Sequence, residues 1–257
     1  RPALLIGGGS PVATYWAVAE YGHRLGIRSL LLGDLDPISP PPFGLDGIDV
    51  VRKPTQRERG WHFLNHRPTD SGSWSLDEFR RVFTQLAKLK FNRVTVEVDV
   101  GAPFVHFEYL GVDRQTGVLW DEDPFPVFGD TAGRKVFGGA KMFENPAFVG
   151  ATTYEQRIAA GTKLLNGVID AAHEVGMTIH FQFPVTEFPP DFSKFTRGYS
   201  GPRVFPPRIG VEWDDFAGND KAANLAKAQT RAYLDTYPNL DGVELRDRHG
   251  ESPVGPL

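Results

Sequence analysis

The chain has 257 residues, and its 40% of apolar and 23% of charged residues exclude a disordered protein. A formal charge of −4 argues against nucleic-acid binding, which uses a basic face, and the apolar runs are too short to span a membrane. The absence of cysteine excludes disulfides, thiolate metal sites and cysteine nucleophiles.

The beginning of the chain predicts a small β-α-β unit. Residues 3–6 are an apolar run typical of a short buried strand, and three glycines follow them. Ser10 suits an N-cap and Pro11 the first helical position, so a helix is predicted over residues 12–25, before a second strand at 27–32. The glycines lack the lysine and the spacing of a nucleotide-binding loop, which favours a tight turn.

A change of pattern near residue 57 predicts a domain boundary. Residues 48–52 are compatible with one more strand, and residues 53–58 are polar and typical of a linker. We therefore assign residues 1–57 to a small α/β accessory domain and residues 58–257 to a second domain.

The second domain alternates strands with long helices. Strands are predicted at residues 61–65, 93–98, 177–183 and 241–246, with helices at 75–90, 153–174 and 219–237 between them. Ser75 with Glu78, and Thr153 with Gln156, form capping boxes. Alternation of this kind with right-handed crossovers predicts a parallel sheet.

Loop lengths refine this prediction to part of a barrel. Residues 99–152 and 184–218 make long loops after strands, whereas the turns from helix to strand are short, as in a (β/α)8 barrel with its active face at the carboxyl ends of the strands. Because only four barrel strands can be counted, the predicted fold class is α/β, a small N-terminal α/β domain plus the first half of a (β/α)8 TIM-type barrel. The other half would come from a C-terminal continuation or another chain.

Polar residues concentrate where the predicted strands end. The candidates for substrate binding are Arg59, Asn65, His66, Arg67, Glu97, Gln182 and Trp120. Further polar residues at the strand ends are Asp99, His180, Glu187, Glu244 and Arg246. Such a ring suits a polyhydroxylated ligand, whose hydroxyls need donors and acceptors while its C–H faces need aromatic rings. The aromatic content of 12% has a second interpretation, because large cores also need rings.

Two of these residue types leave alternatives open. Arg59 and Arg67 either bind sugar hydroxyls or a uronate carboxylate through the guanidinium fork, or form ion pairs that hold the barrel together. His62 and His180 are more simply hydrogen-bonded side chains within strands than metal ligands. We predict neither a metal site nor a cofactor.

Glycoside hydrolysis usually needs two carboxylates, one of them a proton donor to the leaving oxygen. Glu251 lies in a Gly- and Pro-rich loop after the fourth strand and is the candidate acid, with Asp247 as the other catalytic candidate. The alternative for Glu251 is an exposed side chain near a chain end.

Several short stretches resemble known carbohydrate-active enzymes. Residues 13–22 (ATYWAVAEYG) resemble the small domain before the barrel in α-glucuronidases and β-hexosaminidases. Residues 59–62 (RGWH) resemble their first barrel strand, and residues 65–66 (NH) the α-glucuronidase version of it. Residues 241–243 (DGV) and 250–256 (GESPVGP) resemble the fourth-strand region of α-glucuronidases.

The resemblance implies a glycoside hydrolase with Glu251 as general acid and Arg59 holding sugar hydroxyls. We therefore expect a bacterial hydrolase of polysaccharides or oligosaccharides, including uronic-acid or amino-sugar substrates, with no nucleic-acid or membrane partner. A secreted or periplasmic location is favoured over a cytoplasmic one. The alternatives are a metal- or base-dependent sugar isomerase or lyase, and a non-catalytic carbohydrate-binding barrel.

Overall fold

The computed structural model describes residues 3–39, 41–42, 44, 48–65, 70–119, 125–126, 142–143, 145–196, 208–211 and 216–246. The strands are β1 (Arg28–Leu30), β2 (Gly33–Leu35), β3 (Gly60–Phe63), β4 (Arg93–Glu97), β5 (Glu108–Tyr109), β6 (Val112–Asp113), β7 (Phe125–Pro126), β8 (Met142–Phe143), β9 (Thr178–Pro184), β10 (Glu187–Phe188), β11 (Ile209–Gly210) and β12 (Gly242–Arg246). The helices are α1 (Pro11–Arg24), α2 (Leu76–Lys88), α3 (Tyr154–Glu174), α4 (Ser193–Thr196) and α5 (Asp220–Thr236). Short 3-10 turns occur at Ser71–Ser73, Pro146–Phe148 and Pro190–Phe192.

The centre of the molecule is a parallel sheet in which β3, β4, β9 and β12 are neighbours in that order. Helices α2, α3 and α5 connect successive strands of this sheet. The predicted α/β class is therefore confirmed, and the sheet has the arrangement of the first half of a β/α barrel. No described helix has the length and apolar character needed to cross a membrane.

Local capping explains where these helices begin. Ser75 accepts a hydrogen bond from the backbone N–H of Glu78, whose carboxylate accepts one from the Ser75 N–H, and Thr153 and Gln156 repeat the arrangement at α3. Asn219 accepts from two backbone N–H groups at the start of α5. Both predicted capping boxes are confirmed.

The predicted β-α-β unit at the beginning of the chain is wrong. Residues 3–6 and 48–52 form no strand, and Leu5 is 95% exposed. Strand β1 instead pairs antiparallel with β2 through a two-residue turn. An apolar run forms a strand only where a neighbouring strand satisfies its backbone groups, and no described strand pairs with residues 3–6. Helix α1 is as predicted, with Ser10 as its N-cap.

The N-terminal unit lies against the turns that lead into the sheet. Glu20 of α1 pairs with Lys90 at 2.5 Å, and the guanidinium of Arg59 lies 4.7 Å from the ring centre of Trp16. The hydrogen bond from Lys90 lowers the pKa of Glu20. Val12 packs so closely on Gly176 that a Cβ there would lie 2.0 Å from it. This unit therefore covers the amino end of the barrel strands.

Alternation along the strands separates an apolar face from a polar one. The apolar face packs against the helices, as in the stacked rings of Phe183 and Tyr233 at 4.7 Å and the edge contact of Phe181 with Tyr237 at 5.2 Å. Its residues include Phe63, Val94, Val96, Ile179, Phe181 and Phe183, each 5% exposed or less. Most of the described phenylalanines belong to this core or to its extension into the loops, which favours the packing interpretation of the aromatic content.

The long loop after β4 packs closely on helix α3. At Gly161, in the middle of α3, a Cβ would lie 2.1 Å from the backbone oxygen of Pro103. Only glycine lets the helix and the loop come this close. At Gly22, in α1, the nearest atom to a Cβ would be 3.7 Å away, an ordinary contact.

The same substitution should therefore act in opposite directions at these two helical glycines. We expect Gly161→Ala to lower the free energy of unfolding by about 1–3 kcal/mol, because the loop backbone must move. Gly22→Ala should raise it by about 0.5–1 kcal/mol through helix propensity. Chemical denaturation of the two variants measures both changes, and a neutral or stabilising Gly161→Ala would show that the contact is not tight.

Candidate active site

The second face of the sheet is polar along its whole described length. Branched apolar residues usually fill the interior of a closed barrel. Here the residues that alternate with the apolar set are His62, Arg93, Thr95, Glu97, His180, Gln182, Glu244 and Arg246. Apart from His62, these side chains contact one another across the strands in two groups.

The first group is centred on Glu244 of β12. Its carboxylate pairs with Arg93, accepts hydrogen bonds from Thr95 at 3.0 Å and Gln182 at 3.2 Å, and lies 3.4 Å from Nδ1 of His180. Burial alone would raise the pKa of Glu244, but the hydrogen bonds from Thr95 and Arg93 outweigh it and lower this pKa. Glu244 therefore stays ionised and ties three strands together.

The layer at the carboxyl end begins with Glu97, the last residue of β4. Its side chain is only 8% exposed and accepts a hydrogen bond from Arg246 at 2.7 Å, which reaches across from β12. The backbone N–H of Asn65, after β3, donates to the same carboxylate at 3.4 Å. Glu97 thus joins the ends of three strands.

Asp99 lies two residues beyond Glu97 and forms a second buried ion pair. Its Oδ2 lies 2.5 Å from Arg208, and its Oδ1 accepts from the backbone N–H of Gly101 at 2.8 Å. Arg208 also contacts Glu187 at 2.9 Å, so one guanidinium bridges two carboxylates. Burial raises the pKa of Asp99, and the charge of Arg208 opposes this rise.

Three predicted site residues are brought together at this end of the sheet. Asn65 contacts Glu97, and Gln182 is the register partner of Glu97 on the neighbouring strand. A cavity of about 20 Å³, room for one water molecule, opens beside Asn65, Glu97 and the buried Asn145. The predicted residues His66, Arg67, Trp120, Asp247 and Glu251 lie outside the described residues.

Arg59 lies elsewhere, at the amino end of the sheet. Its guanidinium donates to the backbone oxygens of Lys90 at 2.5 Å and Gln56 at 2.7 Å, and it also lies over the aromatic ring of Trp16. The structure does not bring Arg59 together with Asn65, Glu97 and Gln182. A residue that precedes a parallel strand lies at the end opposite to the residues that follow it, which accounts for this placement.

Arg208 could not be identified as a site residue from the sequence. It lies in the long loop after β9, and the pairing of β10 with β11 brings it to Asp99. Asp99 itself could be recognised, because a residue two positions after Glu97 lies on the same face of an extended chain. Within the described residues, no cluster of three or more His, Asp or Glu side chains has a metal-binding arrangement.

Comparisons with known proteins include a distant structural likeness. No family model matches the chain, and no curated protein matches it. Among solved structures, the chain is similar to the noncanonic maltogenic α-amylase AmyB from Thermotoga neapolitana, with 12% identity and a TM-score of 0.33. The match covers 72% of this chain and 38% of the amylase, so the chain spans well under half of that protein.

Proposed function

We propose that the chain carries half of a carbohydrate-active site and that the complete site hydrolyses glycosidic bonds in a polysaccharide or oligosaccharide. The observation that supports this most is the polar layer at the carboxyl ends of β3, β4, β9 and β12, formed around Glu97 and Asp99. In β/α barrels the active site lies at this end. The N-terminal unit occupies the other end.

The chemistry of this layer suits hydroxyl groups. Carboxylates accept hydrogen bonds from hydroxyls, guanidinium groups donate to them, and amides do both. The Oε1 atom of Gln182 is buried and has no hydrogen-bond partner among the described residues, although its Nε2 donates to Glu244. A buried acceptor without a hydrogen-bond partner destabilises the protein, and a ligand hydroxyl that donates to it would offset this cost.

The catalytic carboxylates are proposed from the sequence. Glu251 follows Arg246, the last residue of β12, in the sequence and would protonate the leaving glycosidic oxygen. Asp247, directly after Arg246 in the sequence, is the second candidate carboxylate, for the base or nucleophile that such a reaction usually needs. Trp120, His66 and Arg67 would add contacts to the sugar.

The sheet also requires further strands to become a closed barrel. Among the described strands, β3 and β12 each have a neighbour on one side only, so one row of backbone groups on each could pair with another strand. We propose that the second half comes from a C-terminal continuation or another chain.

Turnover by the natural full-length protein tests the proposed function. Release of nitrophenol from aryl glycosides and of reducing ends from polysaccharides should be detected for at least one substrate. Saccharide binding without any turnover would instead indicate a non-catalytic carbohydrate-binding barrel. Isomerisation or elimination products that vanish with a chelator would indicate a metal-dependent isomerase or lyase.

A further inference from the structure

Three described arginines on or beside the polar face, Arg93, Arg208 and Arg246, each pair with a carboxylate. Arg93 pairs with Glu244, and Arg246 pairs with Glu97 at 2.7 Å. Arg208 lies between two carboxylates at the end of the sheet, those of Asp99 and Glu187. Within the described residues, the guanidinium groups beside the polar face that could recognise an anionic sugar therefore already pair with carboxylates.

The burial of the carboxylates makes these ion pairs difficult to break. Glu97, Asp99 and Glu187 are 8%, 7% and 6% exposed, respectively. A buried carboxylate that loses its arginine is left charged in a poorly solvated place, which is strongly unfavourable. A ligand carboxylate would therefore have to compete with these buried carboxylates for the arginines, and their loss of an arginine would cost much free energy.

The charges of this region also favour one class of ligand. The described part of this region contains the four carboxylates of Glu97, Asp99, Glu187 and Glu244. It contains the three guanidinium groups of Arg93, Arg208 and Arg246. A further anion placed here would meet like charge at short distance in a region of low dielectric constant. A sugar hydroxyl or an ammonium group would instead donate to these carboxylates.

We infer that this half of the site selects an uncharged or amino sugar and rejects a uronate. The inference rests on the proposed function, since it names the substrate class of the same site. The inference also narrows the expected substrates, because both uronic-acid and amino-sugar substrates were expected from the sequence.

Calorimetric titration of the protein with matched sugars tests the inference. Gluco, galacto and manno series each supply a neutral methyl glycoside, a 2-amino sugar and a uronate. In any series that binds, we expect the neutral or amino sugar to bind at least about tenfold tighter than the uronate at low salt. Equal or tighter binding of the uronate would overturn the inference alone, whereas binding of no sugar would overturn the proposed function itself.

A variant that releases one arginine gives an independent test. Glu97→Gln leaves the Arg246 guanidinium without its carboxylate, so uronate affinity should rise about tenfold relative to the neutral sugar. Glu108→Gln, on an exposed side chain of the β5–β6 hairpin, is the matched control and should change neither affinity. An unchanged preference in a folded Glu97→Gln protein would contradict the inference.

A second variant keeps the test decisive if Glu97→Gln does not fold. Arg246→Gln removes a positive charge from the same layer, so uronate binding should weaken further while binding of the neutral sugar changes less. Uronate binding that is unaffected by the loss of Arg246 would contradict the charge argument.

Discussion

Replacing Arg114 by methionine is expected to lower the free energy of unfolding by about 3–5 kcal/mol, because several carbonyls lose their hydrogen-bond donor. Arg114 is fully buried, and its guanidinium donates to the backbone oxygens of Val105 at 2.7 Å, Ala102 at 2.7 Å, Val100 at 3.0 Å and Thr116 at 2.8 Å. Methionine fills similar space but donates no hydrogen bond. Several carbonyls in the long loop after β4 would therefore lose their hydrogen bonds.

Denaturant unfolding followed by tryptophan fluorescence measures this effect. Arg81→Met, at an exposed position of α2, is the matched control and should stay within about 0.5 kcal/mol of the original protein. Arg114→Lys should recover only part of the loss, because one ammonium cannot reach all four carbonyls. A change below about 1 kcal/mol for Arg114→Met would mean that the loop does not depend on this side chain.

Replacing Glu251 by glutamine is expected to reduce kcat by about 10²–10⁴-fold, the usual contribution of a general acid. Glutamine has a similar size and can still bond to a sugar, but it cannot supply a proton to the leaving oxygen. KM should therefore change little, which distinguishes a lost catalytic proton from lost binding.

Steady-state kinetics of the full-length protein on its best glycoside measure this effect. Glu108→Gln, an exposed glutamate on the β5–β6 hairpin, serves as the matched control and should keep both kcat and KM. Asp247→Asn tests the second candidate carboxylate in the same assay. Turnover close to normal in Glu251→Gln would remove Glu251 from the mechanism.

Helices and barrel strands could be predicted because their signals are local. Capping boxes at Ser75 and Thr153 mark the starts of α2 and α3, and the alternation of strands with long helices indicates parallel pairing. The run at residues 3–6 has the composition of a strand, yet its state depends on whether a distant edge is free to pair with it. The neighbour of β1 proved to be β2, so composition alone was insufficient.

The candidate site was predictable to the extent that parallel strands end together. Asn65, Glu97 and Gln182 converge because Asn65 follows β3, Glu97 ends β4, and Gln182 lies opposite Glu97 on β9. Arg208 could not be placed from the sequence, because the β10–β11 pairing brings it next to residues that are distant in the sequence. The pairing of Arg246 with Glu97 likewise crosses from β12 to β4 and leaves no local pattern.

The most direct test of the account is a nuclear magnetic resonance titration of the protein with a saccharide that it binds. The side-chain amide signals of Asn65 and Gln182 report on the carboxyl end of the sheet, and the amide of Asn92, which donates to the Arg57 oxygen at 2.9 Å, reports on the amino end. We predict that saccharide shifts the signals of Asn65 and Gln182 and leaves that of Asn92 in place. Shifts at Asn92 without shifts at Asn65 and Gln182 would contradict the assignment of the site to the carboxyl ends of the strands.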